Sequence, residues 1–123
     1  MAATDQARQL TRVAAGAADS KQATQLVAFD VSERFPLADI FLIASAANER
    51  QVAAIVDAVD EALFAQGVKA LRTEGGREAR WVLVDFGDLV LHVQHVEERE
   101  LYSLDRLWRD CPEVDLELAP SES

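Results

Sequence analysis

Four residues that could do chemistry lie close together in the stretch DFGDLVLHVQH, at positions 85–95. Asp85 and Asp88 are three residues apart, and a turn between them would let both carboxylates bind magnesium. His92 and His95 are of the residue type that most often binds metals. The triplet Asp-Phe-Gly is also the magnesium-binding signature of protein kinases. Each possibility depends on the secondary structure around these residues.

The kinase and zinc interpretations fail on the sequence itself. A kinase domain is much longer and needs a Gly-rich loop, a strand lysine and an H-R-D loop, and the chain has none of them. Residues 89–96 are mostly β-branched and aliphatic, which is typical of a strand. Because side chains alternate along a strand, His92 and His95 point to opposite faces and cannot share one metal. We expect one histidine to be half-buried and hydrogen-bonded, and the other to be solvated.

The two aspartates could still belong to an enzyme. Small nucleotidyltransferases hold magnesium on clustered aspartates, but they also need a Gly-Ser-type loop for the triphosphate, which this chain lacks. Ser45 lies near a predicted helix N-terminus, yet it has no histidine near it and no Gly-x-Ser-x-Gly elbow around it. Aspartate is favoured in turns because its carboxylate bonds the nearby backbone. We therefore interpret Asp85 and Asp88 as turn residues and predict no catalytic residue, no cofactor and no metal.

The composition narrows the class of partner. A length of 123 residues suggests one domain, and a net charge of −10 opposes contacts with nucleic acid or anionic membranes. Such a chain favours a basic protein partner. It has one cysteine, Cys111, no apolar run long enough to span a membrane, and no hydrophobic signal core in its N-terminal MAATDQARQL. We expect a cytoplasmic protein.

Hydrophobic periodicity predicts the elements that must position these residues. The predicted helices are 4–18, capped by Thr4, 49–66, capped by Asn48, and 97–110; the predicted strands are 25–31, 40–47, 69–73, 80–86 and 89–96. The fold class is α/β, a single domain with a mixed β-sheet of about five strands flanked by helices. We assign residues 1–111 to this domain and residues 112–123 to an acidic, mobile tail.

The helix predicted at 97–110 has an apolar stripe. Its members are Leu101, Leu104, Leu107 and Trp108. The spacing predicts that this stripe faces the sheet, with Trp108 in the core and Tyr102 at the margin.

Trp81 opens the strand predicted at 80–86, directly after a polar loop. Trp81, Leu83 and Asp85 share one face of that strand, and the aspartate indicates that the face is partly open to solvent. Trp81 and Tyr102 are therefore either interface anchors, which are often aromatic, or ordinary core aromatics at a sheet edge. The residue pattern alone leaves both interpretations open.

A series of short motifs between about Gln25 and Trp108 carries a family resemblance. The motifs are Asp30-Val31, Asp39, Ala44-Ser45, Asn48-Glu49-Arg50-Gln51-Val52, Glu74-Gly75, Trp81, Asp85, Gly87-Asp88, Val90-Leu91-His92-Val93, Arg99, Tyr102, Leu104 and Leu107-Trp108. Together they resemble the ribosomal silencing factor family, also called Iojap-like proteins. The chain departs from the family pattern at 44–48, where a glycine is usual, and at Asp105, where glutamate is usual.

The resemblance implies a translational repressor without enzymatic activity. Such factors bind a conserved basic protein on the face of the large ribosomal subunit that meets the small subunit, and they block joining of the subunits. The implied fold is a mixed α/β sheet that is nucleotidyltransferase-like without the catalytic signature. The implied partners are the large subunit and, in a possible homodimer, a second copy of the chain.

The resemblance also implies where the partner binds. Trp81 and Tyr102 fall at positions tied to the ribosomal contact, and Arg99, Asp105 and Arg106 are expected to form a polar rim around them. His92 is expected to orient the hairpin rather than to touch the partner. The alternatives are a homodimeric adaptor that does not bind ribosomes and a nucleotide-binding enzyme.

Overall fold

A computed structural model describes residues 3–35, 37–76 and 79–118. The elements are α1 (Asp5–Ser20), β1 (Thr24–Asp30), β2 (Ile40–Ala46), α2 (Glu49–Ala65), β3 (Arg72–Glu74), β4 (Trp81–Asp85), β5 (Leu89–His95), α3 (Val96–Tyr102) and α4 (Leu104–Trp108). No helix in these ranges is long and apolar enough to cross a membrane.

The five strands form one mixed sheet in the order β1-β2-β5-β4-β3. β2 and β5 pair in parallel, and the other three pairings are antiparallel. β4 and β5 form the predicted hairpin, in which the Asp85 carboxylate accepts the N–H of Gly87 at 2.8 Å. Gly87 has a φ of 95°, a conformation that glycine adopts without steric cost. The predicted α/β fold and the turn role of Asp85 are thus confirmed.

The two long helices begin at the predicted caps. Thr4 Oγ1 accepts the N–H of Ala7 at 3.0 Å, and Asn48 Oδ1 accepts the N–H of Gln51 at 2.8 Å. Side-chain oxygens at these positions satisfy backbone donors that have no partner inside the helix. Both helices bury their apolar stripes in one core on the same face of the sheet, which we call the first face.

The other side of the sheet, which we call the second face, has a smaller core. Its buried residues are Phe29, Val31, Ala38, Phe41, Ile43, Val90 and Cys111. Phe35, Leu83, Leu104 and Trp108 pack against them and are only partly buried. Among the described residues no long helix packs on this face, and the side chains of β4 on it are half-exposed.

The single helix predicted at 97–110 is wrong, because the chain breaks into α3 and α4 at Ser103. Ser103 has a left-handed backbone with a φ of 46°, which ends α3 and redirects α4. The predicted apolar stripe is broken as a result. Leu101 and Leu107 are 72% and 63% exposed, whereas Leu104 and Trp108 pack on the second face.

The expectation that one histidine is solvated is also wrong. His92 and His95 do point to opposite faces, but they are only 7% and 9% exposed. β5 is a central strand between β2 and β4, and all seven of its residues are buried. The order of strands in the sheet, rather than the pattern within β5, decides this burial.

The chain after residue 111 stays close to the sheet over the part that the structure describes. Asp30 donates its N–H to the carbonyl of Pro112 at 2.8 Å, and Val114 donates its N–H to the carbonyl of Ala28 at 2.9 Å. Val114 is buried in the larger core. The packed body therefore extends past the domain boundary predicted at residue 111. Residues 119–123 lie outside the described part, and mobility of the tail stays a prediction.

Candidate partner-binding surface

The half-open side of β4 has the geometry of a contact surface. Its residues alternate, so that Val82 and Val84 are buried on the first face while Trp81, Leu83 and Asp85 are half-exposed on the second. This is the alternation that the sequence predicts, and it presents an aromatic and a leucine together to solvent. Half-exposed apolar side chains of this kind are typical of interaction surfaces.

Trp81 is held in place by His92 on the neighbouring strand. Its indole Nε1–H donates to Nδ1 of His92 at 3.3 Å. The two rings lie 6.2 Å apart between centroids. Because Nδ1 accepts this hydrogen bond, the neutral imidazole carries its hydrogen on Nε2. The histidine therefore orients the tryptophan, as well as being part of the hairpin.

Burial keeps the His92 ring neutral. Desolvation lowers its pKa from an ordinary 6.5 to about 4, since the charged form would lose its hydration. A protonated ring would carry a hydrogen on Nδ1 and could not accept from Trp81. The contact is therefore intact at neutral pH and depends on His92 being unprotonated.

An aromatic cluster supports His92 from the interior of the second face. The Phe41 ring lies at its edge, with centroids 5.4 Å apart, and also meets Trp108 at 5.0 Å in a T-shaped arrangement. Phe35 completes the cluster at 5.1 Å from Phe41. Edge-to-face pairs have a preferred geometry, so the cluster fixes the position of His92 and, through it, of Trp81.

Arg99 lies inside the protein and joins three elements. Its Nε and Nη2 donate to the two carboxylate oxygens of Asp105 at 2.7 and 2.6 Å, and its Nη1 donates to Ser45 Oγ at 2.9 Å. Ser45 Oγ in turn donates to Gln25 Oε1 at 3.0 Å. The hydrogen bonds from Arg99 lower the pKa of Asp105, because they favour the carboxylate. This network fastens α3 and α4 to β2 across the break at Ser103.

Arg80, just before β4, holds the start of α3. Its guanidinium contacts carboxylates of Glu49, Glu97 and Glu98 at 2.9, 2.6 and 3.0 Å. These carboxylates raise the pKa of Arg80 further above its already high value. His95 contributes as the cap of α3, since its Nδ1 accepts the N–H of Glu97 at 3.1 Å. Sequence reasoning missed this cluster because the three glutamates lie 17 to 31 residues away from Arg80.

The side chain of Gln94 lies between the Arg99 network and the Trp81–His92 pair. Ser45, Gln94 and Trp81 are directly paired neighbours on β2, β5 and β4, so their side chains share the second face. Gln94 is fully buried, and neither its amide nitrogen nor its oxygen is bonded within the described residues. It separates the Arg99 network from the Trp81–His92 pair.

The structure places the predicted site residues in two groups. Trp81 lies half-exposed on β4. Arg99, Asp105 and Arg106 line a separate polar cleft of about 500 Å³ beside α3. Arg106 is exposed, but Arg99 is only 5% exposed and is not a rim residue, because its guanidinium is enclosed by Asp105 and Ser45. Tyr102 is the last residue of α3, between Arg99 and Asp105 in the chain, and its side chain lies outside the described part of the structure.

In the part of the chain that the structure describes, the aspartates of the β4–β5 turn do not come together with further metal ligands. Within the described residues, no group of three or more histidine, cysteine, aspartate or glutamate side chains could hold a metal ion. The Asp85 carboxylate bonds the backbone of its own turn, and the Asp88 carbonyl accepts the N–H groups of Asp39 and Ile40. Both residues thus shape the turn and its contact with β2.

A sequence model of the family described as "Ribosomal silencing factor during starvation" matches residues 4–123. The chain belongs to this family. The resemblance found in the sequence is therefore confirmed, and it extends over the N-terminal helix as well. The family is one of silencing factors rather than of known enzymes.

Relatives and solved structures agree with this membership. A ribosomal silencing factor of Halalkalibacterium halodurans is 43% identical over 89% of this chain and 94% of its own length. A crystal structure of a Bacillus halodurans protein is 40% identical and superposes with a TM-score of 0.76, covering 87% of this chain and 97% of that one. A more distant mouse relative is named "Mitochondrial assembly of ribosomal large subunit protein 1"; it is 29% identical over 72% of this chain and 40% of its own length.

Proposed function

We propose that this chain represses translation by binding the large ribosomal subunit through a basic protein on its intersubunit face. While bound there, it blocks joining with the small subunit. It does so in the cytoplasm, without catalysis and without a cofactor. The observation that carries this proposal is the half-exposed Trp81, which His92 fixes on a sheet face that no long helix of the described ranges covers.

The charge of the molecule supports a basic partner. The chain has 22 acidic and 12 basic residues, for a net charge of −10. Complementary charge accelerates the encounter of two proteins and opposes wrong partners. The same negative charge disfavours direct contact with ribosomal RNA, so a protein on the subunit surface is the better anchor. The name of the mouse relative refers to the large ribosomal subunit, which supports the choice of that subunit as the partner.

The site residues have different roles in this proposal. Trp81 and Tyr102 are the aromatic anchors, and Arg106 is an exposed polar residue of the separate cleft beside α3. Arg99 and Asp105 act mainly by holding α3 and α4 on β2, because their mutual hydrogen bonds use the charged ends of both side chains. Truncation of such anchors commonly costs 2 kcal/mol or more of binding energy.

Co-sedimentation with isolated ribosomal subunits tests the proposal. The protein is mixed separately with large and small subunits at low and high salt. We expect it to sediment with large subunits alone and to be partly released by salt, since screening weakens charge attraction. Equal association with both subunits, or with neither, would contradict the proposal.

A homodimeric adaptor is the second candidate, and exposed leucines on α3 and α4 favour it. Leu101 and Leu107 are solvent-exposed on consecutive short helices. A second copy that covered them would make a self-association surface next to the proposed ribosome contact. Sedimentation velocity over a range of protein concentrations separates the two candidates. Dimerisation without any binding to large subunits would favour the adaptor.

A further inference from the structure

An apolar groove of about 340 Å³ lies on the second face, next to the surface of Trp81. Its walls come from the loop before β2, from β4 and from α4. The apolar residues that matter here are Phe35, Leu37, Leu83, Leu104, Leu107 and Trp108. Trp81, Arg99, Asp105 and Arg106 do not line it, so it is distinct from the positions of these four residues.

Two exposed leucines from different parts of the chain line this groove. Leu37 is 78% exposed on the loop before β2, and Leu107 is 63% exposed on α4. Neither contributes to the core of the free protein. Large apolar side chains exposed together at a concave site are typical of protein contacts. Covering them with an apolar side chain of a partner would remove their surface from water.

A hydrogen-bond donor also lines the groove. His92 is one of its lining residues and is more than nine-tenths buried. Its Nδ1 accepts from Trp81, so its hydrogen lies on Nε2. Among the described residues Nε2 has no hydrogen-bond partner. Because His92 lines the groove, this donor is available to an acceptor oxygen of whatever occupies the groove.

The groove is continuous with the Trp81 surface. Leu83 lines it and also lines a shallow cavity of about 250 Å³ with Trp81. His92 also connects the groove to Trp81, since it lines the groove and accepts a hydrogen bond from the indole. One partner that covers Trp81 would therefore extend over Leu83 into the groove.

We infer that the groove receives an apolar side chain of the same basic ribosomal protein, with a carbonyl oxygen of that segment accepting from His92 Nε2. This inference rests on the proposed function and adds a second contact to it. The net charge of −10 favours a basic protein over a second copy of this acidic chain, because two copies repel each other.

Glutamate substitutions in the groove test this inference. Leu37→Glu and Leu107→Glu place a charge into the groove from two different elements, and Phe64→Glu is the matched control. Phe64 is 60% exposed at the end of α2 and outside the groove. Affinity for isolated large subunits is measured by titration with fluorescently labelled full-length protein. We expect at least a tenfold loss for both groove variants and no change for the control.

The possible outcomes separate this inference from the proposed function. If the groove variants bind large subunits as tightly as the wild type while Trp81→Ala does not bind, only the inference about the groove is overturned. Failure of the wild type to bind would overturn both. Groove variants that bind normally but no longer self-associate in sedimentation velocity would show that a second copy is the occupant, which also overturns the inference. Should one glutamate variant not fold, the other carries the test.

Discussion

The indole N–H of Trp81 donates to Nδ1 of His92 at 3.3 Å, across the ladder between β4 and β5. The bond connects the half-exposed aromatic of the proposed contact to a histidine that is buried among Phe41 and its neighbours. The side chain offered to a partner is therefore held in one orientation before binding. Such preorganisation lowers the entropic cost of forming an interface.

Replacement of Trp81 should weaken ribosome binding far more than it weakens the fold. Trp81→Ala removes a proposed anchor, so we expect a loss of roughly 30-fold in affinity for large subunits, which corresponds to about 2 kcal/mol. Trp81→Phe keeps an aromatic ring but lacks the N–H that donates to His92. Its affinity for large subunits should therefore lie between those of the wild type and Trp81→Ala. Thermal unfolding is measured alongside. A Trp81→Ala variant that unfolds at 25 °C would identify Trp81 as a core residue instead.

Titration of His92 should make the fold less stable in mild acid. In the unfolded chain the histidine gains a proton near its ordinary pKa of 6.5, whereas in the folded state its pKa is about 4. Between these values the unfolded state binds more protons, so the free energy of unfolding falls as the pH falls. The loss is at most roughly 3 kcal/mol at pH 4.

His92→Gln is the control for this titration, because glutamine can accept from Trp81 but does not titrate. Urea unfolding at several pH values between 4 and 7 gives the free energies of both proteins. We expect the stability difference between wild type and His92→Gln to change over this range. A constant difference would show that His92 does not cause the acid sensitivity.

Removal of the buried amide of Gln94 should not harm the fold. Its nitrogen and oxygen are buried without a partner in the described structure, and burial of unpaired polar groups costs about 1–3 kcal/mol. Gln94→Met has a similar shape and no such atoms, so we expect equal stability or a gain of about 1 kcal/mol. A loss of more than about 1 kcal/mol in urea unfolding would mean that the amide has a partner.

Separation of Arg99 from Asp105 should destabilise α3 and α4. Asp105→Asn keeps the shape but removes the charge that faces the buried guanidinium. We expect a loss of about 2 kcal/mol in stability and weaker large-subunit binding, because the helices that follow β5 are no longer fixed to β2. Arg106→Gln, on the exposed neighbour, is the control and should leave stability unchanged. Equal stability of Asp105→Asn and wild type would contradict the role assigned to this pair.

The elements that sequence patterns predict well are those whose local signals agree. In α2 the Asn48 cap, the stripe through Val52, Ile55 and Val59, and the stop near residue 66 all indicate the same helix, and the structure has it at Glu49–Ala65. The turn at Gly87 is similarly determined by its own residues. Short-range chemistry was sufficient in both places.

Other features depend on contacts that are distant in sequence. The leucine spacing continues through Ser103, so nothing local indicates its left-handed conformation, which is accompanied by the link from Arg99 to Asp105 and Ser45. The burial of His95 depends on the strand order of the sheet. The alternation on β4 did predict the half-open face of Trp81, but not its bond to His92 or the groove beside Leu83.

Subunit joining is the most direct test of the central claim. Large and small subunits are mixed at a magnesium concentration that favours association, and light scattering follows the formation of the whole ribosome. We predict that the protein, added first to the large subunit, prevents the rise in scattering, and that Trp81→Ala does not. A normal rise in the presence of bound wild-type protein would contradict the claim that this chain blocks joining.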